Sequence, residues 1–162
     1  MRVLAHLFSP EWLMRRRFPA AVLADIQRAI ATAEREHCGE IRFVVEHALE
    51  PVQLWSRVDA RQRALQVFAQ LGVWDTEANN GILIYVLLAE HAIEIVADRG
   101  IARAVPQAQW DALCGQVREC FAQSRFRDGA LLSIEGVAQL LRQHFPVAGA
   151  RRNELPDQPV LI

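Results

Sequence analysis

The chain has 162 residues, 52% hydrophobic and 23% charged, enough apolar mass for one domain with a sizeable core and too much for a disordered chain. Eighteen basic and nineteen acidic side chains leave a formal charge of -1, so the overall balance does not point to a nucleic-acid or polyanion partner; binding of that kind would need a local patch.

In chain order, residues 1–19 read as an N-terminal docking segment. Within FSPEWLMRRRFP, Ser9 is placed to cap and Pro10 to open a short helix that carries Trp12, Leu13 and three successive arginines, Arg15, Arg16 and Arg17. A docking helix with solvated arginines and a membrane-surface helix both fit that composition. Residues 20–146 form the expected domain. Its first helix, AAVLADIQRAIATAERE, sets Val22, Leu23, Ile26, Ala29, Ile30 and Ala33 on one face. A strand follows at EIRFVVE, Glu40 to Glu46. A second helix, SRVDARQRALQVFAQLG, opens with Ser56 and Asp59 in capping-box spacing, turns Ala64, Leu65, Phe68 and Leu71 inward, and stops at Gly72.

The second strand, Gly81 to Ala89, is apolar on both faces, as a central strand covered from both sides should be. This run is about half of the ~20 residues that a membrane span needs. Only Glu90 and His91 separate it from the third strand, Ala92 to Ala97, so these two must be antiparallel, whereas the first two strands, joined through a helix, should be parallel. After Pro106, a helix is lined by Trp110, Leu113, Cys114, Val117 and Phe121; a last one, capped by Asp128, is lined by Leu131, Ile134, Ala138, Leu141 and Phe145. Residues 147–162 carry two prolines and read as an irregular tail. The fold class is therefore α/β, a three-layer α/β/α sandwich with a small mixed β-sheet.

This topology brings distant polar residues to one end of the sheet. Glu40 starts the first strand, Asn79 and Asn80 precede the second, Asp98 and Arg99 follow the third, and Asp75 and Glu77 hang over that edge from the loop. Calcium or magnesium prefers such oxygen donors. The spacing is not that of an EF-hand, because the glycine falls at Gly81 and Val86 stands where a bidentate glutamate is required. A purely structural role is the alternative, with an asparagine in a turn conformation and Asp75 capping the loop. The opposite end holds a weaker cluster of Glu46, His47, Glu90 and His91.

Other chemistries lack their motifs. No serine sits in G-x-S-x-G, no P-loop is present, and no histidines form H-E-x-x-H. HCGEIRF begins like a cysteine-phosphatase loop, but Arg42 follows Cys38 by only four residues, too soon to cradle a phosphate over the thiolate. Cys38, Cys114 and Cys120 show no C-x-x-C spacing and read as reduced thiols. The N-terminus has no hydrophobic run with a cleavage site, and the expected location is the cytoplasm.

HCGEIRFVVE, then VFAQLGVWDTEANNGILIYVLL, then AIEIVADRGI, together resemble the TPM domain, a family named from thylakoid-lumen, photosystem II repair and acetylcholine-receptor-modulator proteins. The match runs from about the first long helix to the last, and the chain looks like a short cytosolic branch without signal peptide or membrane anchor. The resemblance implies the same α/β/α sandwich, a cation site at the polar strand edge in some members, and a weak acid-phosphatase activity proposed for plant members that act in assembly or repair of membrane complexes. Carried over residue by residue, it matches Glu40 before the first strand and Asn79, Asn80 and Gly81 before the second. Two functions follow as expectations. One is a non-catalytic accessory or adaptor domain with a protein partner, at or near the membrane surface, and a divalent-cation site built from Glu40, Asp75, Glu77, Asn79, Asn80 and Asp98. The other is a weak metal-dependent phosphomonoesterase using the same ion.

Overall fold

The computed structural model describes residues 5, 6, 10–147 and 152–162. In chain order the elements are α1 (Glu11–Arg17), α2 (Ala20–Ala33), β1 (Glu40–Glu46), α3 (Pro51–Trp55), α4 (Ala60–Gln70), β2 (Gly81–Leu87), β3 (Ala92–Ala97), α5 (Arg99–Ala102), α6 (Gln107–Ala122), α7 (Phe126–His144) and β4 (Val160–Leu161). The four strands are ordered β3-β2-β1-β4. β1 runs parallel to β2 with Glu40 opposite Gly81, and β2 runs antiparallel to β3 with Leu87 opposite Ala92, as the connections require.

Strand alternation divides the core into two layers. Ile41, Phe43, Val45, Ile82, Ile84 and Val86 face α2, α6 and α7, where Ile26, Ile30, Trp110, Val117, Ile134 and Leu141 meet them. Val44, Leu83, Tyr85 and Leu87 point the other way, onto Ala60, Ala64 and Val67 of α4. β2 is buried at every position because it has a strand on each side and helices on each face.

Four local expectations change. The cap of α4 is Asp59, whose carboxylate accepts from Gln62 N at 2.7 Å, with the Gln62 side chain returning to Asp59 N at 3.0 Å; Ser56 ends the short helix before it. Leu65 is 48% exposed, since the inward face runs through Ala60, Ala64 and Val67 instead. Helix α7 starts at Phe126, with Asp128 in its first turn and not at its cap. Ser9 lies outside the described residues.

The tail is the fourth difference. It ends in β4, which adds to β1 in parallel with Val44 opposite Val160, and Ile162 N donates to Val45 O at 2.9 Å. β1 is therefore an inner strand, buried along its whole length. Arg42 of β1 donates to the carbonyls of Pro156 and Gln158. A buried guanidinium needs such acceptors, and among the described residues the returning tail supplies them.

Candidate functional site

The polar end of the sheet is built around Asn79-Asn80-Gly81. Asn79 takes a left-handed φ of 50°, a conformation that asparagine tolerates better than most side chains. It turns the chain into β2 so closely under the preceding loop that a Cβ on Gly81 would lie 1.9 Å from the carbonyl oxygen of Val73. Gly100 has the same constraint, since its Cβ would approach Asn79 O to 2.4 Å. Backbone bonds then tie three strand ends together: Glu40 N donates to Asn80 O at 3.0 Å, Asp98 N to Gly81 O at 2.8 Å, and Gly100 N to Asn79 O at 3.0 Å.

Side chains extend the tie. Arg99 Nε donates to Asn79 Oδ1 at 2.8 Å, Asn80 N to Thr76 Oγ1 at 3.0 Å, and the Asn80 amide nitrogen to the carbonyl of Cys38. Glu40, 1% exposed, accepts at Oε2 from the backbone of Glu154 and Leu155, both at 3.1 Å. Asp98 Oδ1 accepts from Arg99 N at 2.7 Å as the cap of α5. Two oxygens remain: Asn80 Oδ1 and Asp98 Oδ2 are buried without a hydrogen-bond partner among the described residues, on residues only 8% exposed. Buried acceptors are rarely left so, and each costs about 1–3 kcal/mol.

Of the six residues expected at a cation site, Glu40, Asn79, Asn80 and Asp98 do converge at this end of the sheet. Asp75 and Glu77 are exposed on the loop above it, and among the described residues no group of three or more His, Cys, Asp or Glu side chains is arranged to hold a metal ion. Glu40 is committed in part to the tail, and the Asn79 side-chain oxygen to Arg99. Thr76, Gly100 and Glu154 belong to the site as well. The D-R-G stretch after β3 hints at Gly100, but nothing local ties Glu154 to Glu40.

The opposite end holds the other four polar residues, Glu46, His47, Glu90 and His91. The Glu46 carboxylate is held by Arg63, with Nε at 2.9 Å from Oε2 and Nη2 at 3.0 Å from Oε1, and by the Tyr85 hydroxyl at 2.5 Å. Burial, and then the Glu46 charge, push the Tyr85 phenol above its ordinary range. His6 is 2.8 Å from Glu90, and its Nδ1 accepts from Leu49 N at 3.0 Å. His91 has a left-handed φ of 49° at the β2–β3 turn. Its pKa is lowered first by burial and then by the charge of Arg17.

Three nucleophile-type side chains are buried or bonded to backbone. Burial pushes the Cys114 thiol up to about 11, the Ser133 hydroxyl donates to Ala130 O at 2.6 Å, and Cys38 Sγ donates to Pro146 O at 3.3 Å. All three cysteines are free thiols, as their spacing suggests. No helix among the described residues is long and apolar enough to cross a membrane.

Residues 16–140 match the family model described as the TPM domain. Among solved structures, the NMR structure of the BA42 protein from the psychrophilic bacterium Bizionia argentinensis is similar at 31% identity, with a TM-score of 0.77 over 88% of this chain and 93% of that one. The N-terminal domain of a protein from P. gingivalis, solved by NMR, shares the fold at 16% identity and a TM-score of 0.59, over 78% of this chain and 80% of that one. No curated protein matches the chain.

Proposed function

As the chain belongs to the TPM domain family, we propose that it is a non-catalytic accessory domain that takes a divalent cation, calcium or magnesium, at the Asn80–Asp98 strand end and works on a protein partner in or beside membrane complexes. The observation that carries the cation is the pair of buried oxygens, Asn80 Oδ1 and Asp98 Oδ2, left without donors at one end of the sheet. Both are hard oxygen donors of the kind these ions prefer. Asn80 and Asp98 would hold the ion, and the loop carboxylates Asp75 and Glu77 would add negative charge above it. When bound, the ion supplies charge neutralisation and a cross-link between the ends of β2 and β3.

The accessory role is supported by two further features. The Cys114 thiol stays protonated at neutral pH, and the Ser133 hydroxyl is spent on backbone, so neither is primed to attack a substrate. Trp55 is 89% exposed, with Trp12 and Trp74 also at the surface, and tryptophan at such positions favours partner binding. A second reading, a slow metal-dependent phosphomonoesterase, draws on Arg99, whose Nε is bonded to Asn79 Oδ1 at 2.8 Å and whose guanidinium would assist a phosphate carried by the ion.

Thermal unfolding with added calcium or magnesium tests the cation. At a concentration a hundred times the dissociation constant an ion stabilises by about 2.7 kcal/mol, a rise of about 5 to 11 °C at ~2–4 °C per kcal/mol. The rise should vanish in Asp98→Asn, which keeps the helix cap but loses the charge. No rise in wild type, or one that persists in Asp98→Asn, would remove the site. Turnover of p-nitrophenyl phosphate that needs the ion and is lost in Arg99→Gln would transfer the assignment to the second reading.

A further inference from the structure

We propose that the arginine-lined groove between the C-terminal end of α1 and the N-terminal end of α7 is a binding site for a phosphoryl group, separate from the Asn80–Asp98 strand end. The groove is a cavity of about 560 Å³. Arg16, Arg17, Arg125 and Arg127 line it against one carboxylate, Asp128, so four positive charges meet one negative charge on a chain whose net charge is only -1.

Few of these guanidinium groups are neutralised. Among the described residues Arg16 has no hydrogen-bond or ion-pair partner. Arg17 is half-buried and lies over the Phe126 ring, 4.6 Å from its centroid, and burial lowers its pKa with no carboxylate to offset the cost. Arg125 is bonded to Gln123 at 3.1 Å and reaches Asp128 only at 3.8 Å, with both ends exposed, a pairing worth little in water. Arg127 pairs with Asp25 at 2.7 Å, but Asp25 is shared with Arg28. The 19-residue helix α7 also opens here without a side-chain cap, which adds the positive end of its dipole.

The shape of the charge selects the ligand. A planar carboxylate is satisfied by one or two guanidinium forks, whereas a tetrahedral phosphoryl group offers three terminal oxygens to forks arriving from different elements. The volume exceeds that of phosphate alone and lies in the ~300–1,000 Å³ range of small-ligand sites, so the body of an organic phosphate has room over Leu13, Pro19 and Val22. The groove sits near the opposite end of the sheet from Asn80, because Arg17 acts on His91 at the β2–β3 turn. That is the end to which the carboxyl termini of β1 and β2 point, where ligand crevices form in α/β sheets.

A soluble phosphate monoester and the headgroup of phosphatidic acid present the same chemistry, and two arms of one experiment separate them. The full chain is titrated with inorganic phosphate by calorimetry, and it is spun down with phosphatidylcholine vesicles with and without phosphatidic acid. Both arms are repeated with Arg16→Gln/Arg125→Gln and with Arg35→Gln/Arg103→Gln, which removes the same charge from exposed positions outside the groove. Expected are saturable phosphate binding weakened about tenfold or more in the groove variant and unchanged in the control variant, and a rise of the His91 pKa followed by NMR as phosphate offsets the charge of Arg17. Capture by phosphatidic acid vesicles alone, released in the groove variant, assigns the site to the lipid headgroup. Absence of binding in both arms, or equal weakening in the two variants, overturns the proposal.

Discussion

Arg63→Met probes the ion pair that closes the α4 side of the core. The Glu46 and Arg63 side chains are 5% and 12% exposed, and Arg63 meets the carboxylate through two nitrogens. Removing the guanidinium leaves a buried carboxylate with the Tyr85 hydroxyl among its remaining donors, a change that costs about 3–5 kcal/mol where a buried pair is broken on one side. At ~2–4 °C per kcal/mol this lowers the melting temperature by about 6 to 20 °C. Because the cost is an uncompensated charge, removing that charge as well should restore most of the lost stability. Glu46→Leu/Arg63→Met removes both charges and should melt near wild type, since well-packed apolar replacements of buried pairs are often neutral. Calorimetric melting of the three proteins at neutral pH decides it. A single variant as mild as the double one would mean that the pair behaves as a solvated surface contact.

Three further outcomes are expected. Burial and then the charge of Arg17 lower the His91 pKa from 6.5, so its contribution to stability is complete above ~6.5 and is lost as the pH falls through the native value; His91→Asn, which tolerates the left-handed turn, should flatten the acid side of a stability-against-pH curve. Gly81→Ala puts a methyl 1.9 Å from a backbone oxygen and should exceed the about 1–3 kcal/mol of ordinary overpacking in denaturant melts, whereas Gly115→Ala, with open space around it inside α6, should raise stability by about 0.5–1 kcal/mol. Truncation after Gln158 removes β4 and the bond from His47 N to Ile162 O at 3.0 Å; the bared edge of β1 should lower the melting temperature and promote association visible in sedimentation velocity.

The layering of this protein was legible from local pattern. Short apolar runs and helical spacing placed β1, β2, β3 and the buried faces of α2 and α6, and the short break between β2 and β3, four residues in the structure because β2 ends at Leu87 and not at Ala89, against the helical crossover between β1 and β2, decided which strands are antiparallel and which parallel. That topology also brought Glu40, Asn80 and Asp98 to one end, because strand ends meet wherever directions and register are known. The fate of their oxygens could not be read the same way. Whether an acceptor is satisfied depends on donors from remote segments: Glu40 is bonded by the backbone of Glu154 and Leu155, while Asn80 Oδ1 and Asp98 Oδ2 receive no donor from the described residues. The fourth strand was hidden for a related reason, since two residues carry no period and β4 exists only because β1 offers an open edge. The arginine groove likewise joins Arg16 and Arg17 to Arg125 and Arg127. Each pair alone reads as solvated surface charge, and only the packing of α1 against the start of α7 turns the two pairs into one field.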